Sequence, residues 1–158
     1  MHWEPNTRFQ YGLTCPIMRQ HGMERETAIW AYGPVAEQLI GETIKLRASL
    51  KAYVLGELRK TADTGRPLNR PLWFDFPEDA RTWTIDDAYM FGDDYIAAPI
   101  LEEGARSRQV YLPPVSGSKW LHHYTGVPYD GGAEYNISAP LSSFPLFKRV
   151  PTQRTPTQ

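Results

Sequence analysis

The sequence has one cysteine, almost no net charge and no long apolar run, and each of these shortages excludes a class of protein. Because Cys15 is the only cysteine among 158 residues, the chain can form neither an internal disulfide framework nor a thiolate metal cluster. A formal net charge of −1 removes the electrostatic case for nucleic acid or an anionic membrane as the main partner. No run of about 18 apolar residues occurs, so no transmembrane span is expected.

The amino-terminal stretch MHWEPNTRFQYG also lacks an apolar segment, so it does not resemble a signal peptide. The single cysteine gives no sign of an oxidising compartment, which favours a cytoplasmic location. A longer secreted parent protein could still carry a signal upstream of this stretch, and the compartment therefore stays open.

Apolar and aromatic side chains are plentiful. Hydrophobic residues make up 41% of the chain, enough for one core of ordinary size. The aromatic share is 13%, with five Trp, nine Tyr and six Phe. Flat rings of this kind stack on sugars, but they equally fill protein cores and interfaces, so both uses remain open.

Residues 34–62 show the periodicity of one long amphipathic helix. Pro34 suits the first helical turn and Gly65 suits the position after the last one. The spacing of three and four predicts a single apolar stripe. That stripe consists of Val35, Leu39, Ile40, Thr43, Leu46, Leu50, Tyr53, Val54 and Leu58.

The segments that flank this helix favour short strands. Residues 14–19 are interpreted as a buried strand after a helical turn at 9–13, and residues 68–76 as a second strand closed by Pro77. A strand, a crossover helix and a second strand form a parallel βαβ unit. Such a unit needs further strands and helices to cover it, which indicates that part of a larger fold is missing.

From Trp83 onward the chain favours short strands separated by Gly and Pro. This pattern predicts an antiparallel sheet or sandwich. The expected strands cover residues 95–101, 109–112, 120–124, 135–138 and 146–149. The last residues, 151–158, are polar and proline-rich and are expected to be a disordered tail.

Two acidic pairs, at 86–87 and 93–94, could suggest acid–base chemistry. Adjacent residues on a strand point to opposite faces, so turn and helix-start roles are the more common use of such pairs. Asp75 is a lone carboxylate between two phenylalanines and fits either a functional or a structural acid.

The pair His122-His123 does not predict a metal site, because neighbouring strand side chains diverge and no Cys, Asp or Glu stands at ligand spacing. The later glycines neither follow a strand nor open a helix, so no phosphate cradle is predicted. Asn136 begins a glycosylation sequon that has meaning only in a secreted protein.

His21 is the strongest candidate binding residue. It follows the apolar run in CPIMRQHG and precedes a glycine, so it would lie at the carboxyl end of a strand. In a parallel α/β barrel that end carries the substrate site. Position alone leaves a substrate contact and a structural role equally open.

Several stretches, taken together, resemble the C-terminal part of glycoside hydrolase family 31, the family of α-glucosidases and α-xylosidases. They occur in the family's order and extend over most of the chain. The stretches are FQYGLTCPIMRQHG (9–22), IWAYGP (29–34), RPLWFDFPED (70–79), DDAYMFGDDYIAAPILEEGARSRQVYLP (86–113), residues 120–132 and APLSSFPLFKR (139–149).

The resemblance implies an α+β composite fold. Residues 1–82 would be the last βα units of a (β/α)8 TIM barrel, and residues 83–150 would be the antiparallel β-sandwich domain that follows it. Residues 151–158 would be the disordered tail. The resemblance also marks the FGDD run and the ARSR turn as structural features of the sandwich, in agreement with a turn role for Asp93 and Asp94.

The resemblance further implies that His21 contacts a sugar hydroxyl in the −1 subsite. The family's two catalytic Asp residues lie in a W-x-D-M-N-E type stretch and after a later G-D, and neither stretch matches here. We therefore assign His21 as the substrate-binding residue and assign no catalytic residue, metal ligand or cofactor. The chain is expected to be a fragment of a retaining α-glycosidase, derived from a partial or frame-disrupted gene and inactive alone.

A different class of function is a non-catalytic carbohydrate-binding or interaction module. It depends on Trp120, Tyr124 and Tyr129, which this interpretation takes to be exposed. Under both hypotheses the expected partner is a carbohydrate, an α-glucoside or α-xyloside, with no nucleic acid or membrane. The sequence predicts no oligomeric state.

Overall fold

A computed structural model describes residues 5–21 and 27–152, and these form an α+β fold with antiparallel sheets. The helices are α1 (Pro5–Leu13), α2 (Pro34–Ser49), α3 (Lys51–Thr64) and α4 (Leu72–Asp75), with 3-10 turns at Ile29–Tyr32 and Ala80–Thr84. The strands are β1 (Asn69–Pro71), β2 (Tyr89–Phe91), β3 (Tyr95–Ala97), β4 (Ser107–Leu112), β5 (Ser118–His122), β6 (Pro128–Tyr129), β7 (Ala133–Ser138) and β8 (Leu146–Pro151).

The strands form two sheets, and every pairing among the described residues is antiparallel. One sheet has six strands in the order β1-β2-β3-β8-β5-β6, and the other pairs β4 with β7. All five strands expected after Trp83 are present, so the predicted antiparallel sheets are confirmed. β2 and β6 have only three and two residues and were not predicted from the sequence.

Neighbouring strand residues point to opposite faces of a sheet. In the larger sheet the side chains on each face belong to a separate core, so both faces are covered. Met90, Ile96 and Phe147 contribute to a core that also contains Val110 and Ile137 from the smaller sheet, so this core lies between the two sheets. The second core lies between the larger sheet and the helices. It consists of Leu13, Leu50, Val54, Leu68, Phe91, Tyr95, Ala97, Phe144 and Leu146.

The long helix predicted for residues 34–62 occurs as two nearly continuous helices, α2 and α3, that meet at Leu50. Leu50 donates its backbone N–H to Leu46 and accepts from Val54, so the hydrogen-bond ladder continues through the junction. Gly65 ends α3 in the left-handed conformation, φ +74°, as its position predicted. Val35 departs from the predicted apolar stripe because its side chain is 66% exposed.

The strand predicted for residues 14–19 is wrong. Thr14 and Cys15 donate their backbone N–H groups to Tyr11 and Gly12, which continues the turn of α1. Ile17, expected to be buried, is 77% exposed. A strand requires a hydrogen-bonding neighbour, and none of the described strands pairs with this segment.

The second flanking strand is much shorter than predicted, and its pairing is antiparallel and not parallel. Only Asn69–Pro71 is extended, and the chain then turns into α4. β1 pairs antiparallel with β2, for example Arg70 with Met90, so the parallel βαβ unit is not formed in the described part of the chain. Pro71 has no N–H to donate and is placed at the end of an edge strand, where this matters least.

The end of the described chain also bears on the predicted tail. β8 extends to Pro151, one residue into that segment, and residues 153–158 lie outside the described residues.

None of the helices formed by the described residues is long and apolar enough to cross a membrane.

Candidate functional site

His21 lies exposed in the segment that follows α1, at the rim of a cavity of about 280 Å³. Side chains from α1, from this segment and from the 3-10 turn surround the cavity. The lining residues are Arg8, Phe9, Gly12, Met18, Arg19, Gln20, His21, Thr27 and Tyr32. His21 therefore lies in a concave site, and the segment that carries it is not a strand.

Arg47 on α2 holds the segment before His21 in place. Its guanidinium donates to the backbone carbonyl of Leu13 at 2.8 Å and to that of Pro16 at 3.0 Å. The hydroxyls of Thr14 and Tyr89 are hydrogen-bonded at 2.5 Å, which joins the start of the segment to the sheet. Burial raises the pKa of Tyr89 and keeps its phenol neutral. One wall of the cavity is thus fixed to both the helices and the sheet.

Cys15 lies in the same segment but lacks the features of a nucleophile. Burial raises the pKa of its thiol, and the opposing effects of the hydrogen bond with Tyr11 and the charge of Arg47 are smaller. Because the thiolate is the reactive form, a raised pKa keeps Cys15 unreactive.

The described part of the cavity is rich in hydrogen-bond donors. The Arg19 guanidinium donates to Nδ1 of His21 at 2.9 Å, and Arg8 and Gln20 add further polar groups to the lining. These groups suit the oxygen atoms of a polyhydroxylated ligand.

None of the described lining residues is a carboxylate. Hydrolysis of a glycoside with retention needs two carboxyl groups about 5–5.5 Å apart. The described residues around His21 therefore supply groups that can bind a sugar and lack the groups that would cleave its bond.

Asp75 and Asp93 are engaged in a separate ion-pair network around Arg70. The Arg70 side chain is 2% exposed and donates to Asp75 Oδ2 at 2.9 Å and to Asp93 Oδ1 at 3.0 Å. It also donates to the carbonyls of Gly92, at 2.9 Å, and Pro67, at 2.7 Å. This arrangement gives Asp75 a structural role, one of the two that the sequence left open.

Further cations surround Asp93. Burial alone would raise the pKa of this carboxyl, but hydrogen bonding and charge from Lys60, together with the charges of Arg70 and Arg66, lower it below the usual value. Asp93 and Asp94 lie in the turn between β2 and β3, which confirms the turn role predicted for them. The network joins α3 to the larger sheet, and each of its two carboxylates has a cationic partner.

In the other acidic pair, at 86–87, Asp87 also has a structural role. Asp87 forms an ion pair with Arg108, whose guanidinium additionally donates to the carbonyl of Asp87 at 3.0 Å and to that of Pro99 at 2.6 Å. This arginine belongs to the ARSR stretch, so that stretch braces the smaller sheet against the loop before β2.

The two adjacent histidines lie in or against the protein core. His122 is buried, with Nδ1 3.1 Å from the Thr125 hydroxyl and no partner for Nε2. Burial lowers the pKa of both His122 and His123. Among the residues described, no three His, Cys, Asp or Glu side chains are grouped so that they could hold a metal ion.

The aromatic platform proposed for a carbohydrate-binding module is wrong. Trp120 is 0% exposed, and its Nε1 donates to the carbonyl of Pro113 at 2.8 Å. Tyr124 is half-buried against the helical side of the sheet, and Tyr129 packs against the core between the sheets. The alternation of Trp120 and His122 on β5 is the signal that could have placed both side chains inward.

Exposed aromatic rings occur instead on the β1–α4 side of the fold. Trp73 and Trp83 stack with ring centroids 5.2 Å apart, and both are partly exposed. Trp30 is exposed on the 3-10 turn that contributes Tyr32 to the cavity.

The comparisons with known proteins agree with this architecture. A family model described as "Glycosyl hydrolase family 31 C-terminal domain" matches residues 65–151. A probable glucan 1,3-alpha-glucosidase from Oryza sativa subsp. japonica is 34% identical over 144 residues, and an alpha-xylosidase from Saccharolobus solfataricus is 31% identical over 141 residues. These matches cover 90% and 89% of this chain but only 16% and 19% of the relatives.

A solved structure gives the same result. The family 31 alpha-xylosidase from Xanthomonas citri superposes with a TM-score of 0.84 at 37% identity, covering 90% of this chain and 16% of that one. The chain thus spans less than a fifth of the length of each of these three proteins.

Proposed function

The chain belongs to glycosyl hydrolase family 31, and we propose that it is part of a retaining α-glycosidase that hydrolyses terminal α-linked glucosyl or xylosyl residues. The observation that carries this proposal is the match of about nine-tenths of the chain to both an α-glucosidase and an α-xylosidase. In the whole enzyme, residues 1–82 would complete the catalytic barrel and residues 83–150 would form the sandwich that follows it.

Exposed apolar side chains on the amino-terminal half support the barrel proposal. Ile17, in the segment after α1, and Val35, in the first turn of α2, are 77% and 66% exposed, and Ile44 farther along α2 is 42% exposed. Large apolar side chains left exposed in this way suit a surface that another element covers. Further barrel strands and helices would cover these side chains and would give residues 14–19 the strand partners that they lack here.

We propose that His21 donates a hydrogen bond to a sugar hydroxyl at the substrate site. The cavity beside it, at about 280 Å³, lies just below the usual range of about 300–1,000 Å³ for ligand pockets, which suits one sugar unit better than a long oligosaccharide. Its donor-rich lining suits hydroxyl oxygens. The catalytic carboxylates would come from barrel segments that this chain does not contain.

The chain alone is expected to have no glycosidase activity, because none of the described residues that line the cavity beside His21 is a carboxylate, and Asp75, Asp87 and Asp93 are held in structural ion pairs. The test is to incubate the purified chain with an aryl α-glucoside and an aryl α-xyloside and to measure release of the aryl group. Release should equal that of the buffer. Turnover that is lost on substitution of one of the chain's own Asp or Glu residues would overturn the proposal.

A further inference from the structure

The hydrogen bond between Arg19 and His21 determines which ring nitrogen of His21 carries a proton. A guanidinium has only N–H donors and stays charged throughout the accessible pH range. The Arg19 Nη2 atom lies 2.9 Å from His21 Nδ1, so Nδ1 must accept this hydrogen bond through its lone pair. The neutral ring then carries its proton on Nε2.

We propose that Arg19 is a positioning residue that holds His21 as the neutral Nε2–H tautomer, with Nε2–H presented to a sugar oxygen. This inference rests on the proposed function of His21 as a substrate contact. It assigns the direction of that hydrogen bond: His21 donates, and the sugar oxygen accepts.

The local chain geometry supports this role. Residues 18–21 form no helix, turn or strand, and the Arg19 side chain reaches the His21 ring two residues along the chain. Arg19 and His21 both line the cavity, and Arg8 approaches it from α1 with a second positive charge. The cavity therefore favours neutral or anionic oxygen acceptors over cationic ligands.

The test is nitrogen-15 NMR of the histidine rings in the full 158-residue chain at about pH 8, above the ordinary histidine pKa of about 6.5. A His21→Gln variant identifies the His21 signals among the four histidines. In the native chain His21 should show an unprotonated, hydrogen-bonded Nδ1 and a protonated Nε2. In Arg19→Met the Nδ1 signal should move and the second tautomer should appear.

Two further variants separate positioning from a general effect of mutation. Arg19→Lys retains a cationic donor and should preserve the native pattern. Arg8→Met removes a charge from the same cavity without removing the donor to Nδ1, so it should also leave the pattern unchanged. A native His21 with its proton on Nδ1, or identical Nδ1 signals in the native chain and Arg19→Met, would overturn the inference.

The same samples distinguish this inference from the proposed function. Methyl α-xyloside and methyl α-glucoside are titrated into the native chain while the Nε2–H signal of His21 is followed. A shift that weakens in Arg19→Met supports both claims. The predicted tautomer without any response to either sugar would count against His21 as a substrate contact, while Arg19 would still hold the ring.

Discussion

Substitution of Arg70 by methionine should be one of the most destabilising changes on the surface between α3 and the larger sheet. Methionine keeps an unbranched stem of similar length and removes the guanidinium, which is 2% exposed. The substitution deletes hydrogen bonds to two carboxylates and two backbone carbonyls. Asp75, itself nearly buried, then loses its closest fully buried counter-ion.

The expected loss follows from these contacts. Removing one partner of a buried ion pair costs about 3–5 kcal/mol, because the remaining charge is uncompensated. Asp93 is about one-third exposed, so water replaces part of its interaction, and Arg66 remains paired with Asp75. Both effects place the expected loss in free energy of unfolding near the lower end of that range, at about 3 kcal/mol. This is still a large share of the stability of an ordinary domain.

The assay is urea unfolding followed by tryptophan fluorescence, with Arg149→Ala as a matched control. Arg149 is 38% exposed and lies 3.7 Å from Asp94, so its removal should cost less than about 1 kcal/mol. Adding Asp75→Asn to Arg70→Met should restore part of the loss, because it removes the unpaired charge. Equal losses in Arg70→Met and Arg149→Ala would refute this reasoning.

Three further predictions concern single sites in the sandwich. Gly92→Ala should lower the free energy of unfolding by about 2 kcal/mol or more in the same urea assay, because the backbone φ of Gly92 is +63° and a Cβ there would clash with the Tyr53 hydroxyl. Gly104→Ala, with positive φ and open space, should cost about 1–2 kcal/mol and is the control. Burial lowers the pKa of His122 and His123, so at these two sites the folded chain binds fewer protons than the unfolded one. In urea unfolding across pH, the free energy of unfolding should therefore be fully present above about pH 6.5 and should decline below it. A variant with both His122 and His123 replaced by Asn should show a weaker decline. Trp120→Phe should lower the free energy of unfolding by about 1–3 kcal/mol and should leave any sugar response unchanged, whereas loss of a sugar response would restore a binding role for this ring.

Local pattern was sufficient for five of the strands that pair within this chain. Residues 146–149 were predicted as a strand, and β8 occupies them, with Leu146 in one core and Phe147 in the other. Proline at the start of α2 and Gly65 after α3 marked the helix ends correctly for the same reason, because capping depends on neighbouring residues.

Prediction failed where the sequence pattern refers to partners that the described chain does not provide. Residues 14–19 have the composition of a buried strand, but no neighbouring strand is available and the segment continues the turn of α1. Residues 72–75 form α4 instead of extending β1. A tertiary partner thus decides between strand and turn in these short apolar runs.

For the candidate site, the sequence singled out His21, and the structure places it among the residues that line a cavity. Its contact with substrate stays a prediction. The hydrogen bond from Arg19 depends on the shape of an irregular segment, which no periodicity encodes. The Arg70 network joins residues more than twenty positions apart, so local pattern could not reveal it.

The most direct test of the central claim is the kcat/KM of a chimera in which residues 5–152 replace the matching segment of the Xanthomonas citri alpha-xylosidase. The chimera should hydrolyse an aryl α-xyloside, because the replaced and replacing folds superpose closely. His21→Ala in the chimera should lower kcat/KM at least about tenfold, the effect of one net hydrogen bond of about 1.4 kcal/mol. Its thermal unfolding should not change, since His21 is exposed. A folded chimera without activity, or an active one indifferent to His21→Ala, would contradict the account.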